Sequence, residues 1–176
     1  MTRPCADDNC SHNTIFAHMR ILMVCLGNIC RSPLAEGILA QKANEAGLDW
    51  EIDSAGTNGF HIGEQPHVLS QQVAKLHGID ISGQRCRRLV KEDIHRFDRI
   101  FVMDRDNYAA VKRIFGESWH AEKNDRKVTF LLDLLYPGEQ REVPDPWYGT
   151  EKDYHAVYDM LEKACDKLIA AYRQES

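Results

Sequence analysis

A single α/β domain, built on a four-stranded parallel sheet with helices on both faces, is the fold class that the sequence predicts. Short apolar runs rich in strand-forming residues alternate with longer stretches at helical spacing. Glycines sit at the joints between them, and no repeat or Pro/Gly/Ser linker interrupts the chain after residue 20. With 176 residues the chain can bury roughly 70% of its unfolded surface, so it needs no disulfide or metal to fold.

Each element follows from local pattern. Residues 1–18 are polar and show neither period, which reads as a mobile, dispensable leader, or as codons upstream of a true start at Met19. Residues 19–176 then form the folded domain. The run 20–26 is continuously apolar, as suits a strand buried on both faces of a parallel sheet, and Gly27 and Asn28 break it. Ser32 is a good helix N-cap and Pro33 fits a first turn. Leu34, Ala35, Ile38, Leu39, Ala43 and Ala46 form one stripe, and Gly47 stops the helix. Residues 50–54 read as a second strand, 66–77 as a helix closed by Gly78, 99–103 as a third strand and 104–115 as a helix. Residues 128–132 read as a weaker fourth strand. Residues 151–172 carry the clearest helical period, through Tyr154, Val157, Tyr158, Leu161, Cys165, Leu168 and Tyr172.

Composition excludes several classes. Hydrophobic residues at 43% and three Trp, six Tyr and six Phe exclude a disordered chain. The longest apolar run, residues 21–26, is far short of the roughly 20 that span a bilayer. No apolar secretory core follows the start, so a cytoplasmic protein is expected. A net charge of −5 offers no global field for nucleic acid or anionic lipid. The six cysteines are too few and scattered for a disulfide framework, so single thiols are candidates for chemistry. Cys5, Cys10, His12 and His18 crowd the leader, but at spacings irregular for zinc, and no metal or cofactor is expected.

The chemistry-bearing segment lies where the first strand passes into the first helix: Cys25, Leu26, Gly27, Asn28, Ile29, Cys30, Arg31, Ser32. A Cys-x5-Arg spacing is weak alone; its position gives it weight. A loop wrapping into a helix N-terminus aims backbone N–H groups and the positive end of the helix dipole at one point. That point suits a tetrahedral oxyanion, which Arg31 can grip with a planar fork. Helix dipole, amides and guanidinium all favour thiolate over thiol at Cys25, making it a nucleophile at neutral pH. Ser32 can hydrogen-bond the sulfur during attack and departure. The competing reading of Cys25 is a small core residue ending a strand.

The string Val24-Cys25-Leu26-Gly27-Asn28-Ile29-Cys30-Arg31-Ser32-Pro33 resembles the signature of the low-molecular-weight protein tyrosine phosphatases. The likeness extends through Asp53-Ser54-Ala55-Gly56-Thr57, Phe60-His61-Ile62-Gly63, Lys91-Glu92-Asp93, Met103-Asp104 and Asp145-Pro146-Trp147-Tyr148-Gly149, covering about residues 20–173. It implies a hydrolase acting on phosphotyrosine proteins and small aryl phosphates through a phosphocysteine on Cys25, with Arg31 as phosphate clamp. Asp145 matches the family's general acid, which protonates the leaving phenolate and then activates water. Pro144 and Pro146 hold it on a stiff loop, although outside this context an Asp-Pro turn would be the ordinary reading. Arg31 and the loop amides neutralise the phosphoryl oxygens without a metal.

The resemblance assigns Leu26, Gly27, Asn28, Ile29, Cys30, Ser32, Phe60, Trp147 and Tyr148 to substrate binding. Phe60 and Trp147 fall in the substrate-stacking positions, in Gly- and Pro-bounded loops where exposure is expected. Relatives that dephosphorylate arginine carry threonine where this chain has Ile29, so tyrosine is favoured. Cys30 either packs or forms a protective reversible disulfide with Cys25. Where many relatives have a histidine that holds the loop Asn and Ser, this chain has Gln84, which cannot ionise. Arg85, Arg87, Arg88 and Lys91 make a basic run whose default is a solvated face, with docking of acidic segments as the alternative. Expected partners are phosphotyrosine proteins and inorganic phosphate or other oxyanions, with the chain monomeric or weakly self-associating. An arsenate reductase of the same fold would need two mid-chain cysteines, and only Cys86 lies there. A dead phosphate-binding adaptor is disfavoured by intact Cys25, Arg31 and Asp145.

Overall fold

The computed structural model describes residues 18–121 and 126–175. The leader, apart from His18, and its Cys5, Cys10 and His12 therefore lie outside the described residues. The elements run β1 (Met19–Cys25), α1 (Arg31–Glu45), β2 (Trp50–Gly56), α2 (Val68–Leu76), α3 (Asp93–Arg96), β3 (Arg99–Val102), α4 (Arg105–Phe115), α5 (Glu117–Ala121), β4 (Val128–Phe130) and α6 (Glu151–Glu175). The sheet has the order β2-β1-β3-β4 and every pair is parallel. The four-stranded parallel sheet expected from sequence is thus present.

Strand β1 is central, and its alternation builds two cores. Ile21, Met23 and Cys25 pack into a cluster with Leu34, Ile38 and Leu39 of α1, Val73 of α2, and Tyr154, Val157 and Leu161 of α6. Leu22 and Val24 face the other side, against Phe97, Val111, Phe115 and Trp119. Residues 21–24 are wholly buried, each contributing about 1.5–3 kcal/mol relative to exposure. A strand covered on both faces this way has no polar side, which is why its sequence reads as one apolar run. The chain goes from β1 to one neighbour and later to the other, so the order reverses beside β1. The loop leaving β1 opens at the carboxyl edge of this switch point, where open α/β sheets bind ligands.

Several boundaries differ from the sequence reading. Helix α1 begins at Arg31, so Ser32 is inside its first turn rather than its cap, and its hydroxyl is engaged elsewhere. The fourth strand ends at Phe130 and passes into a 3-10 turn, Leu131–Leu134. Helix α2 runs Val68–Leu76 rather than 66–77, and His67 caps it by accepting the Leu69 N–H at 3.2 Å. Helices α3 and α5, of four and five residues, carry too little period to be read from sequence. Among the described residues no helix is long and apolar enough to cross a membrane, and no group of three or more His, Cys, Asp or Glu could hold a metal.

Candidate active site

The loop from Cys25 to Cys30 is fastened by its carbonyls. Cys25 O accepts from Thr57 N at 3.0 Å, Leu26 O from Asn58 N at 3.0 Å and Ile29 O from His67 N at 2.7 Å. Gly27 O accepts from the Cys86 thiol at 3.0 Å and Cys30 O from the Ser70 hydroxyl at 3.2 Å. In a trans peptide the next residue's N–H points opposite to the carbonyl. With these carbonyls drawn outward, the N–H groups of Leu26, Gly27, Asn28, Cys30 and Arg31 are turned toward the middle of the loop. The conformation requires Asn28 in the left-handed region, at φ 56°, one of the few non-glycine residues that tolerate it. It also requires Gly56. A side-chain carbon there would lie 2.9 Å from Leu26 O, 3.0 Å from Gly27 C and 3.1 Å from Asn28 N.

Behind the loop runs a buried hydrogen-bond relay with one consistent direction. The Asn28 amide nitrogen donates to Ser32 Oγ at 2.9 Å and to Ser54 Oγ at 2.8 Å. Ser32 therefore accepts from Asn28 and is free to donate to Cys25 Sγ, 3.1 Å away. Ser54 donates to the Glu36 carboxylate at 2.5 Å. Asn28 Oδ1 accepts the Arg87 backbone N–H at 2.9 Å. Burial pushes the Glu36 carboxyl up to about 7, against the hydrogen bond from Ser54. Gln84 joins none of these bonds: its Oε1 is buried without a hydrogen-bond partner, and Asn28 and Ser32 are held by Ser54, the Arg87 backbone and each other.

Arg31 is 2% exposed and lies between two carboxylates. Its Nη1 donates to Asp104 at 2.6 Å and to Val143 O at 3.0 Å, and its Nη2 donates to Asp145 at 3.0 Å. Asp104 is fixed in turn as the N-cap of α4, accepting from Asn107 N at 2.7 Å. Asp145 Oδ1 accepts from Trp147 N at 3.1 Å, a turn that sets the carboxylate and the indole on one segment.

A cleft of about 340 Å3 is lined by Cys25, Leu26, Gly27, Ile29, Cys30, Arg31, Asn58, Phe60, His61, Asp145, Trp147 and Tyr148. Of the residues singled out from sequence, Asn28 and Ser32 do not line it; they brace it from behind. Phe60 is 83%, Trp147 40% and Tyr148 98% exposed, as their loop positions predict. Trp147 is flanked by the His61 and His67 rings at 5.6 and 5.4 Å, and His67 stacks on Tyr154 at 5.2 Å. The Tyr154 hydroxyl lies 3.4 Å from Cys30 Sγ, and burial raises the Cys30 thiol to about 12. Sequence reasoning gave no role to Asp104, Glu36, Ser54 or His61. Asp104 and Ser54 lie within the stretches of family resemblance, as does His61, but Glu36 had no local signal.

The family profile of the low molecular weight phosphotyrosine protein phosphatases matches residues 20–176. The chain is 36% identical to the low molecular weight protein-tyrosine-phosphatase YfkJ of Bacillus subtilis over 88% of this chain and 96% of that one. The crystal structure of YfkJ superposes with a TM-score of 0.79, covering 91% of this chain and 98% of that one, at 34% identity. Identity to the human low molecular weight phosphotyrosine protein phosphatase is 36%, over 85% and 92% of the two chains. A protein tyrosine phosphatase of Entamoeba histolytica, crystallised with Hepes in its active site, gives a TM-score of 0.79 at 37% identity, over 89% and 98%.

Proposed function

The chain belongs to the low molecular weight phosphotyrosine protein phosphatase family and is a phosphoric-monoester hydrolase, and from that premise we propose that it hydrolyses phosphotyrosine in two steps through a phosphocysteine on Cys25. The Cys25 thiolate attacks phosphorus as the bond to the phenolic oxygen breaks, and Asp145 gives that oxygen its proton. Asp145, now ionised, takes a proton from water as the water attacks phosphorus, and the sulfur departs with the Ser32 hydroxyl donating to it.

The observation that carries this reading is the convergence of three groups on one cleft: a sulfur bonded to Ser32, a ring of inward-turned amides, and a buried guanidinium whose Nη1 is already held by Asp104 and Val143. With Nη1 so engaged, Nε and Nη2 are the edge of the fork offered to a phosphoryl group. When Nη2 exchanges Asp145 for a phosphoryl oxygen, the carboxylate is released from its ion pair, takes up a proton from solvent and turns, as the acid, toward the leaving oxygen. Leu26, Ile29, Phe60, Trp147 and Tyr148 supply apolar walls, against which a long aromatic stem packs better than a serine side chain does. We read residues 19–176 as one catalytic domain, monomeric or weakly self-associating. Its four described cysteines are free thiols, in keeping with a reducing cytoplasm.

The test is rapid acid quench with labelled phosphotyrosine peptide, beside turnover on phosphotyrosine, phosphoserine and phosphoarginine peptides with EDTA present. Wild-type protein should yield a trapped phosphoenzyme that alkali leaves intact and iodine cleaves, as befits phosphorus on sulfur, and should prefer phosphotyrosine. Cys25→Ser should give neither phosphoenzyme nor turnover, and full turnover in that variant would overturn the mechanism.

A further inference from the structure

The basic run after Gly83 divides, in three dimensions, into two cations that are engaged, Arg85 and Arg87, and two exposed ones, Arg88 and Lys91, for which the described residues offer no carboxylate. Arg85 folds back on its own chain, donating to Ser82 O at 2.9 Å and Gln84 O at 2.7 Å. Arg87 is held by Asp53 at 3.0 Å and by Asp93 at 3.0 and 3.3 Å. Among the described residues no carboxylate pairs with Arg88, which is exposed.

Arg88 is also the one that the backbone carries to the cleft. Residues 87–89 run beside the end of β2 as a further row: Gly56 N donates to Arg87 O at 2.9 Å and Leu89 N to Gly56 O at 2.8 Å, with a parallel bridge between Gly56 and Arg88. The 56–58 row lies in turn against Cys25 and Leu26. Two such spacings put the Arg88 row roughly 10 Å from the Cys25 row. The Arg88 stem crosses Gly59: a side-chain carbon at Gly59 would lie 3.5 Å from Arg88 Cδ and 3.2 Å from Ile62 Cδ1. Gly59 immediately precedes Phe60, a wall of the cleft. The rim loop is clipped to the same row by Gly63 N to Cys86 O and Cys86 N to Glu64 O, both at 2.8 Å. At the far end of that loop Glu64 is hydrogen-bonded to the His61 ring at 2.9 Å, which turns its carboxylate away from Arg88 and toward its own loop.

We propose that Arg88 is a specificity-determining residue that receives an acidic side chain of the substrate, one to three residues from the phosphotyrosine, on the Gly59 to Ile62 side of the cleft. An extended peptide advances about 3.3–3.6 Å per residue, so roughly 10 Å is the reach of a near neighbour of the phosphotyrosine. The inference rests on the phosphatase reading above and deepens it.

The test compares kcat/KM of the full chain on matched phosphotyrosine peptides carrying Glu, Gln or Lys at positions one to three before or after the phosphotyrosine, with p-nitrophenyl phosphate as a substrate that has no flanks. Wild-type protein should prefer Glu over Gln by about two- to fivefold on one side, as befits an exposed charge pair, and the preference should fade at 0.5 M salt. Arg88→Gln should lose the preference while keeping its rate on p-nitrophenyl phosphate, Arg88→Lys should retain part of it, and Arg88→Glu should favour Lys-flanked peptides. A Glu preference that survives in Arg88→Gln overturns the inference, as does hydrolysis of all three wild-type peptide sets at one rate. Hydrolysis of no phosphotyrosine peptide at all would sink the phosphatase reading first and this inference with it.

Discussion

Five carbonyls of the loop over residues 25–30 are bonded to the scaffold around it, and the side chains of Asn28 and of Ser32, in the first turn of α1, are buried and hydrogen-bonded as well. Across the cleft, Asp145 stands between two prolines on a segment without regular structure, its side chain 41% exposed and, among the described residues, hydrogen-bonded to Arg31 and Trp147. One wall is fixed before substrate arrives; on the other, the Asp145 carboxylate is joined to it through the Arg31 guanidinium. The difference separates two tasks. Stabilising a phosphoryl group demands donors that need not reorganise, whereas delivering a proton demands a carboxyl group that can leave Arg31, become protonated and turn to the leaving oxygen.

Removing the clamp sharpens that separation most. Arg31→Ala should cost about a thousandfold or more in kcat/KM, and equally for aryl phosphates with good and poor leaving groups, because the lost donor serves the phosphoryl oxygens. A loss that grew with leaving-group basicity would merge the two tasks. Asp145→Ala should instead cost about a hundredfold with a basic phenolate and far less with p-nitrophenolate, read from the slope of log kcat/KM against leaving-group pKa. A slope unchanged from wild type would remove Asp145 from the proton path.

The smallest effect belongs to the relay behind the fixed wall. Glu36 has a folded-state pKa of about 7 against an ordinary 4.5, raised by burial and by Asp53 and lowered by Ser54 and Arg87. The folded protein thus holds this proton more tightly than the unfolded chain does. The resulting stability is full below the unfolded value and is lost as pH rises through about 7. Glu36→Gln, which retains an acceptor for Ser54 and cannot ionise, should escape that loss. Urea melts at pH 5 and pH 8 should show wild type falling on the order of 2 kcal/mol further than the variant. Equal losses would mean that the carboxyl is ionised throughout.

The strand, the loop and the helix that follow one another in sequence were legible because their signals are local: an apolar run, a Gly-Asn break and an alanine- and leucine-lined stripe. Ser32 carried two readings, a cap and a partner of the Cys25 sulfur, because a serine before a helical stripe has the same appearance whichever its hydroxyl serves; the hydroxyl lies on the sulfur. Glu36 was illegible for a related reason. It sits on α1 among good helix formers, and only the register that sets Ser54 opposite it, on another strand, gives its carboxylate a partner. Gln84 could be seen to depart from the family pattern, but not that Ser54 and the Arg87 backbone would already hold Asn28 and leave its oxygen unmatched. The basic run was visible as composition; which arginine faces the cleft depends on three backbone rows meeting at Gly56.

That meeting point also limits what heredity can do to the protein. Where the end of β2 passes the loop, the space beside Gly56 is closed by backbone atoms of Leu26, Gly27 and Asn28, none of which can swing aside like a side chain. Every other amino acid brings at least one carbon to that spot. No missense change at codon 56 is therefore mild, and the intact nucleophile depends on a residue that takes no part in the chemistry.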